Sequence, residues 1–314
     1  MGFAGFSEKD FDAYDEKKWT SNRFNLERMR ARENAEALAK LVFPTERQAI
    51  FGLEQTSSHD HPTLFNHRRV DSQWVFLVRN HEEQKRLTAK IDSEHSVEVQ
   101  VGDPALHHLH AIVGLKLHFN GLDILFGIHR HASLDLRNFL QKVDVPYERQ
   151  LFTDLLKMLP AGVRFVSGEV TVNPFDVEEK HIRTAVNHLL NDNGGEWLQF
   201  VRTLSRDEIT SLGENVVQTV RETLSGLLSL YAFASWRRDN DFISLQKAIK
   251  EDKKAKKANA AELQINSRVK VTVGLFSGRD GQVVELDGKG GVRVLVGKVP
   301  VKVRVKDVQL LDKG

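Results

Sequence analysis

Imidazole is the side chain most able to move protons or hold a metal at neutral pH, and eleven of the 13 histidines lie between His59 and His131. The densest part of that stretch has a readable local structure. Ile112 to Phe119 runs into Asn120-Gly121, and Leu122 to His129 follows. Asn-Gly between two alternating apolar runs predicts a hairpin with those two residues as its turn, because both central positions need positive φ. That register sets His118 opposite Asp123, Gly114 opposite Gly127, Ile112 opposite His129 and His110 opposite His131. Side chains alternate between faces, so Val113, Leu115, Leu117, Phe119, Leu122, Ile124, Phe126 and Ile128 form a core face. The other face carries His110, Lys116, His118, Asp123, His129 and His131.

Three chemistries suit the second face. His110, His129 and His131, within about 5–8 Å of one another, could bind zinc or manganese or accept a phosphate. His118 and Asp123 could form an oriented acid–base pair. The facing glycines would leave a notch for a ligand. A plain solvated or helix-covered sheet face accounts for the same pattern, because histidine suits a half-wet surface. His107-His108 stands at the hairpin's entrance and extends the cluster, whereas His59-Asp60-His61 reads as polar loop and His67-Arg68-Arg69 as surface that could contact phosphate. No GxSxG, HExxH, Walker or GxGxxG pattern occurs, so no motif demands a cofactor.

The elements around this hairpin make an α+β body. Ser7 caps a first helix, with Asp10 at its third position and Phe6 stapled to Phe11. A longer helix runs from Asn22 to Val42 and stops at Pro44. Strands are expected at Gln73–Arg79, Ser96–Val101 and Val163–Val172. Helices are expected at Pro146–Leu159 and Val177–Leu190, and a short one around Trp197–Leu204. Ser205-Arg206-Asp207-Glu208 is a capping box for a further helical stretch, broken near Gly226 or Asp239-Asn240 and ending near Lys257.

Composition bounds the setting. There is no cysteine, which excludes disulfides and thiolate metal sites and fits a reducing, cytoplasmic compartment. No apolar run reaches transmembrane length, and residues 1–8 lack a signal-peptide pattern. The net charge of +2 hides an asymmetry. Residues 247–314 hold 16 Lys/Arg against 8 Asp/Glu, while the preceding residues hold 29 against 35. A basic tail on an acidic body points to phosphate or an acidic partner.

The tail has its own texture. Val269, Val271 and Val273 alternate with polar residues, as do Val292, Val294, Val296, Val299, Val301, Val303 and Val305, with glycine-punctuated turns between. Five short strands in so few residues bury enough surface by curling into a small barrel. Arg268-Val269-Lys270-Val271, then Gly274-x-Phe276-x-Gly278-x-x-Gly281-x-Val283, then Val292-x-Val294-x-Val296 and Val308-x-x-Leu311 resembles a KOW domain, as found in NusG-type transcription factors and ribosomal proteins. The resemblance covers about 50 of the 314 residues.

It implies binding rather than catalysis, with RNA, the ribosome or RNA polymerase as partner. The implied contacts are the Gly278–Gly281 turn and Arg268, Lys270, Arg279, Arg293, Lys302, Arg304 and Lys306. Such contacts are mainly to phosphate and therefore salt-sensitive. The expected division is an α+β body at 1–246, a basic helical linker at 247–264 and a five-stranded SH3-like barrel at 265–314. The expected role is a non-enzymatic adaptor. A metal-assisted hydrolase or RNA-modifying enzyme on the histidine face, and a purely structural protein–protein module, are the alternatives.

Overall fold

Local signals start the chain as expected. Ser7 and Asp10 exchange the two hydrogen bonds of a capping box at α1 (Glu8–Asp12), and Phe6 packs on Phe11 with ring centres 5.9 Å apart. A single 3-10 turn, Asn22–Phe24, leads into α2 (Asn25–Val42). The computed structural model describes residues 3–94, 106–191, 195–244, 263–272, 276–286, 291–304 and 307–311. They fall into two compact units, Met1–Phe242 and Ile243–Gly314. The expected strand Ser96–Val101, the basic stretch 247–262 and Lys306 lie outside the described residues. Among the described residues, no helix is long and apolar enough to cross a membrane.

The first unit is α+β. After α2 come α3 (Thr45–Phe51), β1 (Leu53–Ser57), β2 (Ser72–Arg79) and α4 (His81–Glu94). The hairpin is β3 (Ala111–His118) and β4 (Gly121–His129), followed by α5 (Ser133–Val143) and α6 (Pro146–Lys157). Then come β5 (Arg164–Ser167), β6 (Val170–Val172), α7 (Glu179–Leu190), β7 (Trp197–Ser205), α8 (Arg206–Leu212) and α9 (Val216–Ala234). The strands form one sheet in the order β1-β2-β3-β4-β7-β5-β6, antiparallel at every joint.

One face of the sheet is the main core. Val75, Leu77, Val113, Leu115, Leu117, Leu122, Ile124, Phe126, Ile128, Leu198 and Phe200 are all buried in one cluster with the helices. Helix α9 presents Val216, Val220, Leu224, Leu227, Leu228 and Tyr231 to it, the i, i+4, i+8 recurrence of an apolar helical face. Gly226 does not break this helix. A Cβ there would stand 3.0 Å from Leu159 Cδ2, so glycine allows the close approach of the chain after α6.

Three readings are corrected. Trp197 to Leu204 is not a helix but β7, flanked by β4 and β5. Its alternation of Leu198 and Phe200 serves the core face, and pairing on both sides overrides local propensity. The stretch Val163–Val172 turns back on itself at Gly168 (φ 58) to give two strands. The hairpin's register is also shifted. Its turn is Phe119-Asn120, and His118 pairs with Gly121. Gly121 is a strand residue at φ 150, where a Cβ would collide with the Leu204 carbonyl oxygen of β7. The glycine therefore serves the neighbouring strand rather than the turn. A shift of two residues leaves the assignment of faces intact.

The second unit is a five-stranded antiparallel sheet of β8 (Arg268–Val271), β9 (Asp280–Leu286), β10 (Gly291–Val296), β11 (Val299–Arg304) and β12 (Val308–Leu310). Its order is β11-β10-β9-β8-β12, so the first strand lies inside and the last pairs with it. Val269, Val271, Val283, Val292, Val294 and Val308 bury together with Leu263. β11 and β12 are the edges, and Val299 on β11 remains 49% exposed.

Candidate functional site

The outer face of the large sheet is apolar in its middle and rich in imidazole and indole at its ends. Trp74, Phe76, Val78, Ile112 and Leu125 bury together, with Trp197 and Val201 against them. The strands set the rows. Trp74 stands opposite Lys116, Lys116 opposite Asp123, and Asp123 opposite Thr203. Four positions along, Ile112 stands opposite Gly127 and Gly127 opposite Gln199. At the far end, His129 pairs with Trp197.

Gly114 and Gly127 do not face each other. Gly114 pairs with Leu125, Gly127 pairs with Ile112, and neither leaves a notch. A Cβ on Gly114 would stand 2.6 Å from Phe76 Cβ, and one on Gly127 3.2 Å from Trp197 Cε3. The protein's own rings fill the space. Trp197 covers Gly127 with the Cε3–Cζ3 edge of its ring and reaches Trp74, with ring centres 5.4 Å apart and planes at 19°. His107, from the 3-10 turn Leu106–His108, joins them, 5.1 Å from Trp74 and 6.2 Å from Trp197. Three nearly parallel rings thus form a triangular array, the offset geometry that aromatic quadrupoles favour.

The imidazoles meet in a different combination from the one the shifted register implied. His108 stacks on His129 at 4.0 Å with planes at 11°, and His129 approaches His131 at 4.8 Å. His107 touches His108 at 4.4 Å. His110 turns to another partner, its Nδ1 lying 3.3 Å from Arg79 Nη1. Arg79 forms a two-pronged ion pair with Asp135 at 2.9 and 2.6 Å and donates to the Trp236 carbonyl at 2.8 Å. Asp135 also accepts the Ala111 and Trp236 backbone N–H groups. Burial alone would lift the Asp135 carboxyl, but Arg79 and these donors hold it below its ordinary range.

Burial is also the first cause acting on the imidazoles. It lowers His108 to about 4 against the pull of Glu196, with His131, His67 and Arg130 adding to the fall. His129 falls to about 2 through burial and the neighbouring His108, His131, His107 and Arg130. His107 falls to about 3 through burial, His108 and Lys116. His110 falls to about 4 through burial and Arg79. His107, His108, His110 and His129 are therefore neutral at pH 7.

Hydrogen bonds then fix tautomers. His129 Nδ1 accepts the His131 backbone N–H at 3.2 Å, and His110 Nδ1 faces an arginine that can only donate. In both rings the proton sits on Nε2, so neither Nε2 has a free lone pair for a metal. Stacked parallel rings also aim poorly at a common ion. Among the described residues, no group of three or more His, Asp or Glu side chains is placed to hold a metal.

His118 and Asp123 do come together at 3.4 Å, diagonally rather than directly opposed. Asp123 also accepts the Thr203 hydroxyl at 2.6 Å. Burial raises its carboxyl, but the His118 ring and Thr203 hydroxyl outweigh burial and leave it low. His118 Nδ1 accepts the Asn120 backbone N–H at 3.3 Å. The nitrogen that would take a proton from a substrate is thus occupied, and Lys116 leans over Trp74 at 5.3 Å instead of completing a site.

The second unit places its basic residues on the polar side of the strands. Arg293 is matched by Glu285 at 2.7 Å, and Lys270 approaches Asp280 at 4.0 Å. Arg268, Arg279, Lys302 and Arg304 are exposed. Among the described residues, no ion pair engages these four. The two glycines of the turn differ in purpose. Gly278 sits at φ 80, with its N–H on the Val271 carbonyl at 2.7 Å. Gly281 is needed because a Cβ would stand 2.5 Å from Val294 Cγ1.

No protein-family model and no curated protein matches the chain. The side chains that sequence reasoning missed are Trp74, Trp197, Arg79 and Asp135. The signal for Trp197 was present in the Leu198/Phe200 alternation. Nothing local marks Arg79 and Asp135, which are 56 residues apart.

Proposed function

We propose that this protein is a non-enzymatic adaptor whose C-terminal five-stranded unit is a KOW-type module, curled toward an SH3-like barrel, that binds RNA within the ribosome or an RNA polymerase complex. One observation carries the reading. Four exposed cations, Arg268, Arg279, Lys302 and Arg304, share a small unit with no acidic partner for them among the described residues. Lysine and arginine left uncompensated on a rigid β scaffold are suited to phosphate, where each contact releases a counterion. The unit has no exposed aromatic ring among its described residues, so it lacks the stacking platform of a single-strand binder. Structured RNA fits it better.

The test is binding of the full chain to ribosomal RNA, to ribosomes and to RNA polymerase across 50–300 mM salt, approximate limits chosen to span the screening range. Four phosphate contacts give a slope of roughly −3 to −4 in log K against log salt. The variant Arg268→Glu/Lys302→Glu/Arg304→Glu should lose most of the binding and most of the slope. Unchanged binding in that variant, or binding insensitive to salt, defeats the proposal.

A further inference from the structure

The 3-10 turn Leu106–His108 rests on β2, β3 and β4, across the outer face of the large sheet. Its two imidazoles meet rings of the sheet. His107 lies on Trp74 at 5.1 Å and against Phe76 at 5.3 Å. His108 lies on His129 at 4.0 Å and meets Trp197 at 5.7 Å. We propose that this turn is a proton-sensitive latch: with its imidazoles neutral it seals the Trp74–Trp197 face, and with them protonated it lifts away and exposes that face.

The geometry makes the seated state intolerant of charge. Two parallel imidazoles 4.0 Å apart stack well when neutral and repel when both are cations. His131 adds a third ring 4.8 Å from His129. The charged and titratable groups that act on the cluster are mostly of the wrong sign for imidazolium. Lys116 comes from β3, Arg130 and His131 follow β4, and His67 comes from the loop before β2. Glu196, just before β7, is the acid acting on His108. His110 belongs to the Arg79–Asp135 network and stays with the body when the turn lifts.

Proton linkage sets the direction. An imidazole held below its ordinary 6.5 when seated takes up a proton on release. Each released imidazole therefore favours the open state by roughly 20-fold more at pH 5 than at pH 7. Two released together give a shift of roughly 400-fold, with uptake of about two protons per opening. The described contacts of His107 and His108 with the sheet are between rings, and the strand pairing beneath the turn runs between other residues, so opening leaves that pairing in place.

The experiment is a pH titration of the full chain from neutral to pH 4.5 with two readouts. Acrylamide quenching of tryptophan emission reports exposure of the indoles, and far-UV circular dichroism reports the helices and sheet. Quenching should rise between pH 6 and 5 while dichroism stays level. His108→Phe keeps a stacking ring without a proton site, and should move the midpoint to lower pH and reduce the apparent proton number. Quenching that changes only together with dichroism, or a variant that titrates like the parent, overturns the latch. Should His108→Phe not fold, proton NMR of the histidine rings in the parent decides. At least two rings must resist protonation until quenching changes, and independent titration of every ring near 6.5 overturns the proposal.

Discussion

Asp135→Asn tests the energetic centre of the first unit. Asp135 is 1% exposed and Arg79 2% exposed, so the charge of each has the other as its main compensation. Asp135 Oδ1 accepts from Arg79 Nη2 and the Trp236 N–H, and Oδ2 accepts from Arg79 Nη1 and the Ala111 N–H. Asparagine keeps the shape but turns one oxygen into an NH2 group, which then faces two donors. It also leaves a buried guanidinium uncompensated. Unit charges about 4 Å apart at an effective dielectric of 20 interact by about 4 kcal/mol, within the 3–5 kcal/mol typical of breaking a buried pair from one side. The expected loss is therefore about 4 kcal/mol. All four tryptophans lie before Ile243, so urea unfolding followed by their emission reports the first unit alone. Arg79→Met/Asp135→Leu should recover most of the loss, because no charge is then buried. A loss under about 1 kcal/mol for Asp135→Asn would refute the reasoning, and so would a double variant as unstable as the single one.

Gly114→Ala should cost about 1–3 kcal/mol in the same assay, because its Cβ would press on Phe76 Cβ at 2.6 Å and on the Val75 carbonyl oxygen at 2.9 Å. Acid should weaken the first unit through His110, whose folded value of about 4 lies below its ordinary 6.5. The unfolded chain then binds the proton first, so this stability is complete above pH 6.5 and falls toward pH 4. The fall is about 2 kcal/mol from pH 7 to 5. His110→Asn, which preserves an acceptor for Arg79, should flatten that part of the pH profile. In the second unit, Gly281→Ala should lower amide hydrogen-exchange protection in β9 and β10 more than Gly278→Ala does. The first meets Val294 at 2.5 Å, whereas the second meets no atom within 4 Å and pays only for its φ of 80.

Features decided within a few residues were legible from the chain itself. Ser7 and Asp10 form their box, Phe6 finds Phe11, and Asn25–Val42 is helical, because each needs only neighbours less than a turn or two away. The period-two valines of the tail give five strands for the same reason. The faces of the hairpin were legible too, since alternation survives a register shift of two. Tertiary structure decided the rest. The turn settled on Phe119-Asn120 because β7 needs Gly121 where Leu204 approaches. Trp197–Ser205 became a strand because β4 and β5 offer it hydrogen bonds on both sides. His129 stacks on His108 and not across from His110, because Arg79, held by Asp135 of α5, draws His110 away. These outcomes depend on partners from 21 (His108 and His129) to 84 (Gly121 and Ser205) residues distant in the chain, and no local pattern encodes which distant group will arrive.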